Sequence, residues 1–169
     1  MDTDTLYKIM LMKLLSLSPE PLSTSVITDF FSKKNYTGYF TVQKALYELK
    51  DQGLISPTEE FSRTYYVLTD AGSSALSSLS DRITKDILSD IESYLRENQK
   101  EIRAESSLQA TYDATVSGFS VRLTKTENGA KIIDLTFPVP TKESAENICI
   151  NWKSHSNEAI DSLYETLIR

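Results

Sequence analysis

The sequence holds one cysteine and one histidine among 169 residues. A disulfide framework and a multi-Cys/His zinc site within one chain are therefore excluded. Glycine is scarce, with five residues and no cluster. The chain lacks a phosphate loop, a dinucleotide glycine pattern, a nucleophile elbow and metal-ligand spacing. No catalytic residue, metal or cofactor is assigned. Long apolar runs are missing too. The most apolar stretch, residues 6–17, is broken by Lys8 and Lys13, whereas a spanning helix needs ~20 mostly apolar residues. The start, Met1-Asp2-Thr3-Asp4, is acidic, where a secretory leader is basic. Together with the lone Cys149 this predicts a cytoplasmic protein. Positive charge is also short: the net charge is −6 and the pI about 4.9. A basic coat for nucleic acid is excluded, so any such surface must be local.

What is present is ordinary globular material, 40% hydrophobic and 25% charged. At ~100–200 residues per domain it makes one medium domain or two small ones. Leu6, Ile9, Met10, Leu14 and Leu17 recur at helical spacing, and Tyr7, Leu11 and Leu15 cover a second face. Such a helix is deeply buried or touches a second subunit. Pro19 and Pro21 end it. A second helix starts near Ser23 to Ser25, carries Val26, Ile27, Phe30 and Phe31, and closes at Lys33-Lys34-Asn35. A turn follows, with Gly38 its most permissive point. A third helix is predicted over 41–52 with Thr41 as N-cap. Gly53 suits a left-handed C′ position, and Leu54 can then touch Leu49 in a Schellman ending. Two short strands, 54–55 and 64–69, flank a polar loop, and Asp70 can cap a fourth helix.

A helix over 84–103 carries Leu88, Ile91, Leu95, Asn98 and Ile102, spaced 3, 4, 3, 4 like the seam of a coiled coil. The period then changes to two. Leu108, Ala110, Tyr112, Ala114 and Val116 alternate with polar residues, as do Phe119, Val121 and Leu123, and then Ile133, Leu135, Phe137 and Val139. Ser117-Gly118 and Asn128-Gly129 read as hairpin turns. Pro138 and Pro140 place the third strand at an edge or bulge. The last helix opens at Thr141, with Ala145, Ile148, Cys149, Trp152, Ile160, Leu163 and Leu167 on one stripe.

The expected class is α+β: an N-terminal winged helix-turn-helix, then a long helix, a three-stranded antiparallel sheet and a C-terminal helix. The serine cluster at 73–80 puts the domain boundary at 82/83, giving a DNA-binding domain over 1–82 and a dimerisation or effector domain over 83–169. The runs 42–55 (VQKALYELKDQGLI) and 65–72 (YYVLTDAG) resemble winged-helix regulators of the PadR and MarR kind, whose pattern is a recognition helix, "L-x-x-x-G-L-I", a wing and "Y-x-L-T-x-x-G". The whole chain is similar to a family of uncharacterised Gram-positive bacterial proteins at 39–43, 132–140 and 148–153. That likeness implies a cytoplasmic, dimeric transcription regulator.

In a helix-turn-helix the outer face of the second motif helix enters the major groove. Gln43, Lys44 and Tyr47 stand there, Thr41 and the helix start can meet phosphate, and Lys33, Lys34, Tyr36 and Tyr39 flank them. Arg63 is the one basic residue of the wing. Against this, residues 1–80 hold seven Lys/Arg and nine Asp/Glu, and DNA binding draws on counterion release. A homodimer, joined through Leu88, Ile91, Leu95, Asn98 and Ile102, doubles the cations. An effector, small molecule or protein, would bind the C-terminal half. The alternative is a non-catalytic protein-binding scaffold that uses the winged helix as an adaptor. Asn98 sets dimer register or merely lies at a helix edge. Cys149 is expected to be a buried, inert thiol, His155 an exposed helix residue, and Asp113 and Asp134 unconnected carboxylates on a solvated strand face.

Overall fold

The computed structural model describes residues 1–60, 63–127 and 130–168. Its class is α+β, with seven α-helices and two three-stranded sheets among the described residues. It divides into two compact units, one of Met1–Thr58 and Arg63–Arg103, the other centred on Ala104–Arg169.

The first unit runs α1 (Thr3–Leu17), β1 (Leu22–Ser23), α2 (Thr24–Lys33), α3 (Tyr39–Asp51), β2 (Ile55–Glu60), β3 (Arg63–Leu68), α4 (Asp70–Leu79), a 3-10 turn, α5 (Lys85–Glu97) and the start of α6 (Gln99–Ser107). Its sheet order is β1-β3-β2. The short β1 is absent from the sequence expectation. The prolines that end α1 force an extended link, and Leu22 and Ser23 then pair with Tyr66 and Tyr65. Ile9, Met10, Leu11, Met12, Leu14 and Leu15 of α1 are all buried, so this helix is apolar on most of its girth because it is the core of its own unit. Phe30, Phe31, Val42, Leu46 and Leu49 pack on it from α2 and α3.

Polar residues at the helix starts satisfy amides that the first turn leaves unpaired. Asp2 accepts from Thr5 N, Ser23 from Val26 N, Thr84 from Ile87 N and Thr141 from Ser144 N. The α4 cap is Thr69, accepting from Gly72 N at 3.0 Å, and not Asp70, which lies in the first turn. Helix α3 closes as a Schellman motif. Gly53 has φ +70°, its N–H donates to Lys50 O at 2.9 Å, and Leu54 N–H donates to Leu49 O at 2.9 Å.

The division between units falls within α6, not at 82/83, because α5 belongs to the first core. Ile87 and Ile91 are buried there, and Ile102 with them. The Tyr94 hydroxyl donates to the Asp29 carboxylate at 2.7 Å, with Val26 O at 3.1 Å. Tyr94→Phe should cost about 1.5–3 kcal/mol, the usual worth of a hydrogen bond to a charged group, read as a lower midpoint in urea melting. The proposed dimer seam is thus spent inside the unit. Ile91 and Ile102 are buried and Leu95 packs partly against the same core, while Leu88 and Asn98 are half-buried. Nor is the helix continuous. It breaks at Asn98, whose amide donates to Tyr94 O at 2.8 Å and so finishes α5. Asparagine competes for backbone partners in this way at helix ends.

The second unit is a β4-β5-β6 meander (Leu108–Thr115, Gly118–Glu127, Ala130–Val139) covered on one face by α7 (Lys142–Leu167). Thr115 pairs with Gly118, so the first turn is Val116-Ser117, one residue earlier than the expected Ser117-Gly118. Gly118 itself starts β5 at φ +147°, where an added Cβ would lie 2.6 Å from Val139 O. The Asn128-Gly129 turn lies outside the described residues. Strand β6 is an edge of this sheet, which is where Pro138 is tolerated. Ala110, Val121, Leu123, Val139, Ala145, Cys149, Trp152 and Ile160 form the core. The Trp152 indole N–H donates to Thr124 O at 3.1 Å.

Candidate nucleic-acid interface

Helices α2 and α3 are joined by a tight turn whose left-handed residue is Asn35, at φ +58°. Asn35 N–H donates to Ser32 O at 3.0 Å and Tyr36 N–H to Phe31 O at 2.9 Å, a second Schellman ending. Gly38, expected to be the permissive point, instead has an ordinary φ of −96° and is the α3 N-cap. Helix α3 therefore starts two residues before the expected Thr41. It has no side-chain cap and no acidic residue in its first turn, so the start of the helix keeps its positive end.

The earlier start adds Tyr39 and Phe40 to the exposed face of the helix. Tyr39, Phe40 and Tyr47 are 55%, 85% and 69% exposed, and Lys44 and Lys50 are exposed beside them. Phe40 was not among the expected contacts. With the N-cap at Gly38, it falls four residues before Lys44 and seven before Tyr47, on the same face. Thr41 is half-buried in the first turn and does not cap. Gln43 is half-buried, and its Nε2 is a buried atom without a partner. It does not stand outward as an adenine reader.

The cations around this face are matched by carboxylates of the same unit. Lys44 pairs with Asp4 at 2.5 Å, Lys33 with Asp29 at 3.0 Å and Lys34 with Asp90 at 3.6 Å, and Lys8 pairs with Glu48. The hydrogen bond to Asp4 pushes the Lys44 ammonium pKa up. Lys34 also donates to Ser93 Oγ at 3.2 Å. Tyr36 is committed as well. Its hydroxyl donates to Asp90 at 2.6 Å, and burial, then that carboxylate, raises its pKa. Tyr36 is thus a packing residue between α2 and α5. Arg63 is exposed at the start of β3.

Residues 7–167 match the family model described as "Domain of unknown function (DUF4364)". The chain belongs to this family. No curated protein and no solved structure matches it. The DUF4364 match runs through both units, so the α1–α6 unit and the β4–α7 unit are parts of one family pattern.

The remaining singled-out residues of this DUF4364 chain stand apart. Cys149 is buried in the second core. His155 is exposed, 3.4 Å from Glu158. Asp134 on β6 is bound by Arg122 at 2.8 and 3.0 Å and by Lys131 at 3.0 Å, and the Arg122 bond chiefly holds its carboxyl well below the usual carboxylate range. Asp113 is on β4 opposite Ser120, on the other flank of β5. The two carboxylates do not form a pair. No metal-type group of three His/Cys/Asp/Glu occurs among the described residues, and no helix among them is long and apolar enough to cross a membrane.

Proposed function

We propose that the first unit is a winged helix-turn-helix and that the protein is a homodimeric, non-catalytic, DNA-binding transcription regulator of the cytoplasm. The observation that carries this is topological. The order is α1-β1-α2-α3-β2-β3 with sheet order β1-β3-β2, one face of α3 is exposed at Tyr39, Phe40, Lys44 and Tyr47, and Arg63 is exposed on the β2–β3 hairpin beside it in the chain. The resemblance of 42–55 and 65–72 to PadR- and MarR-like regulators points the same way. Helix α3 enters the major groove with Tyr39 and Tyr47 facing it, and Lys33, Lys44 and Arg63 meet phosphates along its walls.

The carboxylate partners do not forbid this. Exposed ion pairs are worth about 0–1 kcal/mol each, and a phosphate can take the place of Asp4 or Asp29. The decisive experiment is binding to a duplex from the promoter of its own gene at several salt concentrations. Lys33, Lys44 and Arg63 in a dimer make about six phosphate contacts, so affinity should fall about 10³-fold between 50 and 200 mM salt. Absence of duplex binding at low salt would overturn the proposal. A protein-binding adaptor is the second reading. It is favoured by the exposed Tyr39, Phe40 and Tyr47 beside lysines already paired with acids, and it predicts a co-purifying protein and indifference to duplex DNA.

A further inference from the structure

Helix α3 brings few hydrogen-bonding groups to the start of its exposed face. Along Tyr39–Asp51 it holds no Arg or Asn, and its one amide side chain, Gln43, has its Nε2 buried. Glu48 is held by Lys8. Lys50 and Asp51 stand at the far end of the helix, about 15 Å along the axis from Phe40. Adenine edges are read by Asn or Gln and guanine edges by Arg or Lys. The first half of α3 offers Lys44 alone for this, and Lys44 is held by Asp4 and assigned above to phosphate.

What stands there instead is aromatic. Phe40 is the most exposed large apolar side chain of the first unit among the described residues. Its ring centroid lies 5.5 Å from that of Tyr39 at an interplanar angle of 80°, an edge-to-face pair at the helix start. Tyr47 follows two turns on along the same face, about 10 Å away. Gly38 caps the helix without a side chain, and no acid lies in the first turn. Nothing anionic in that turn repels a polyanion from the end that carries Phe40. The Phe40 side chain has no polar atom. In the major groove the feature such a side chain can bind is the methyl group at C5 of a pyrimidine.

We propose that Phe40 is a specificity-determining residue that packs on a pyrimidine C5 methyl group in the major groove. Thymine carries this methyl, and 5-methylcytosine presents the same group at the same atom. The N-terminal residues of a recognition helix are the ones that meet base edges, and Phe40 is the second residue of α3. The inference rests on the DNA-binding reading above and adds what that reading lacks, a source of sequence preference. Phosphate contacts by Lys33, Lys44 and Arg63 position the protein but carry no sequence information. Phe40 supplies it by shape and apolar contact, and each half-site then holds a C5-methylated pyrimidine where the start of α3 enters the groove.

The test measures binding of the full chain, at low salt, to the duplex from the promoter of its own gene. The duplex is made with thymine, with uracil in place of thymine, and with 5-methylcytosine in place of cytosine. Uracil keeps the base pairing and loses only the methyl. One buried methyl group is worth about fourfold in affinity, so with two half-sites wild type should bind the uracil duplex about 15-fold more weakly. Phe40→Ser should bind the thymine duplex about 15-fold more weakly and no longer tell thymine from uracil. Its salt slope should match wild type, because the phosphate contacts remain, and its circular dichroism should be unchanged. Tighter binding to the 5-methylcytosine duplex with indifference to uracil would place the same contact on cytosine. Wild-type indifference to both substitutions, or a Phe40→Ser protein that still discriminates, would overturn the methyl contact and leave the DNA reading standing. Absence of binding to all three duplexes would overturn both.

Discussion

Combining Lys44→Glu with Arg63→Glu should lower duplex affinity at least about 100-fold at low salt. In a dimer the two changes convert four phosphate contacts into four repulsions. Each lost contact removes about 0.9 from the slope of log affinity against log salt, so the slope should become shallower by about 4 as well. Both positions are exposed, so the fold and molecular mass should be kept, with melting lowered only by the small worth of exposed pairs such as Lys44–Asp4. Asp4→Asn supplies the opposite sign. It releases Lys44 from its 2.5 Å partner and should raise affinity a few-fold, in line with the small worth of an exposed ion pair. Unchanged affinity and unchanged slope in the double variant would mean that α3 and the hairpin are not the contact surface.

Features set by neighbours along the chain were legible in the sequence. Gly53 at C′ with Leu54 at C″ follows from a local rule, and so does the period-two alternation of β4, β5 and β6. Features set by distant partners were not. The 3, 4, 3, 4 spacing in α5 and α6 states only that a face is apolar. Its destination depends on Tyr94 meeting Asp29, 65 positions away. The same holds for the candidate site. Lys44 is an outward lysine in the sequence, but Asp4, 40 positions earlier, sits against it. Gln43 borders the buried Val42–Leu46 edge of α3 and so lies inward, and α3 starts at Tyr39 and not at Thr41. That start depends on Asn35 being the left-handed residue of the turn, where Gly38 was read as its most permissive point, a choice between two permissive residues that local preference does not settle.

The other large effect is expected at Gly72. The patterns L-x-x-x-G-L-I and Y-x-L-T-x-x-G, separate in sequence, form one lock in the fold. The Thr69 hydroxyl donates to Gly53 O at 2.7 Å, and Thr69 N–H donates to Leu54 O at 3.1 Å. The same Leu54 carbonyl lies over Gly72, where a Cβ would be 2.0 Å from the oxygen and 2.7 Å from Leu68 Cδ1. Relief requires backbone to move, which strains the end of α3 or breaks the Thr69 bond. Overpacking costs about 1–3 kcal/mol and a lost hydrogen bond about 1 kcal/mol more. The better helix propensity of alanine returns about 1 kcal/mol. Gly72→Ala should therefore destabilise the first unit by about 2 kcal/mol, a drop of about 12 °C for a unit of this size. Ser73→Ala, one residue on and exposed, should stay within about 0.5 kcal/mol of wild type. The check is thermal melting of both variants by circular dichroism. If Gly72→Ala melts with wild type, the Leu54 carbonyl does not pack on α4. The end of α3, and with it the direction of its exposed face, would then be set by something other than this lock.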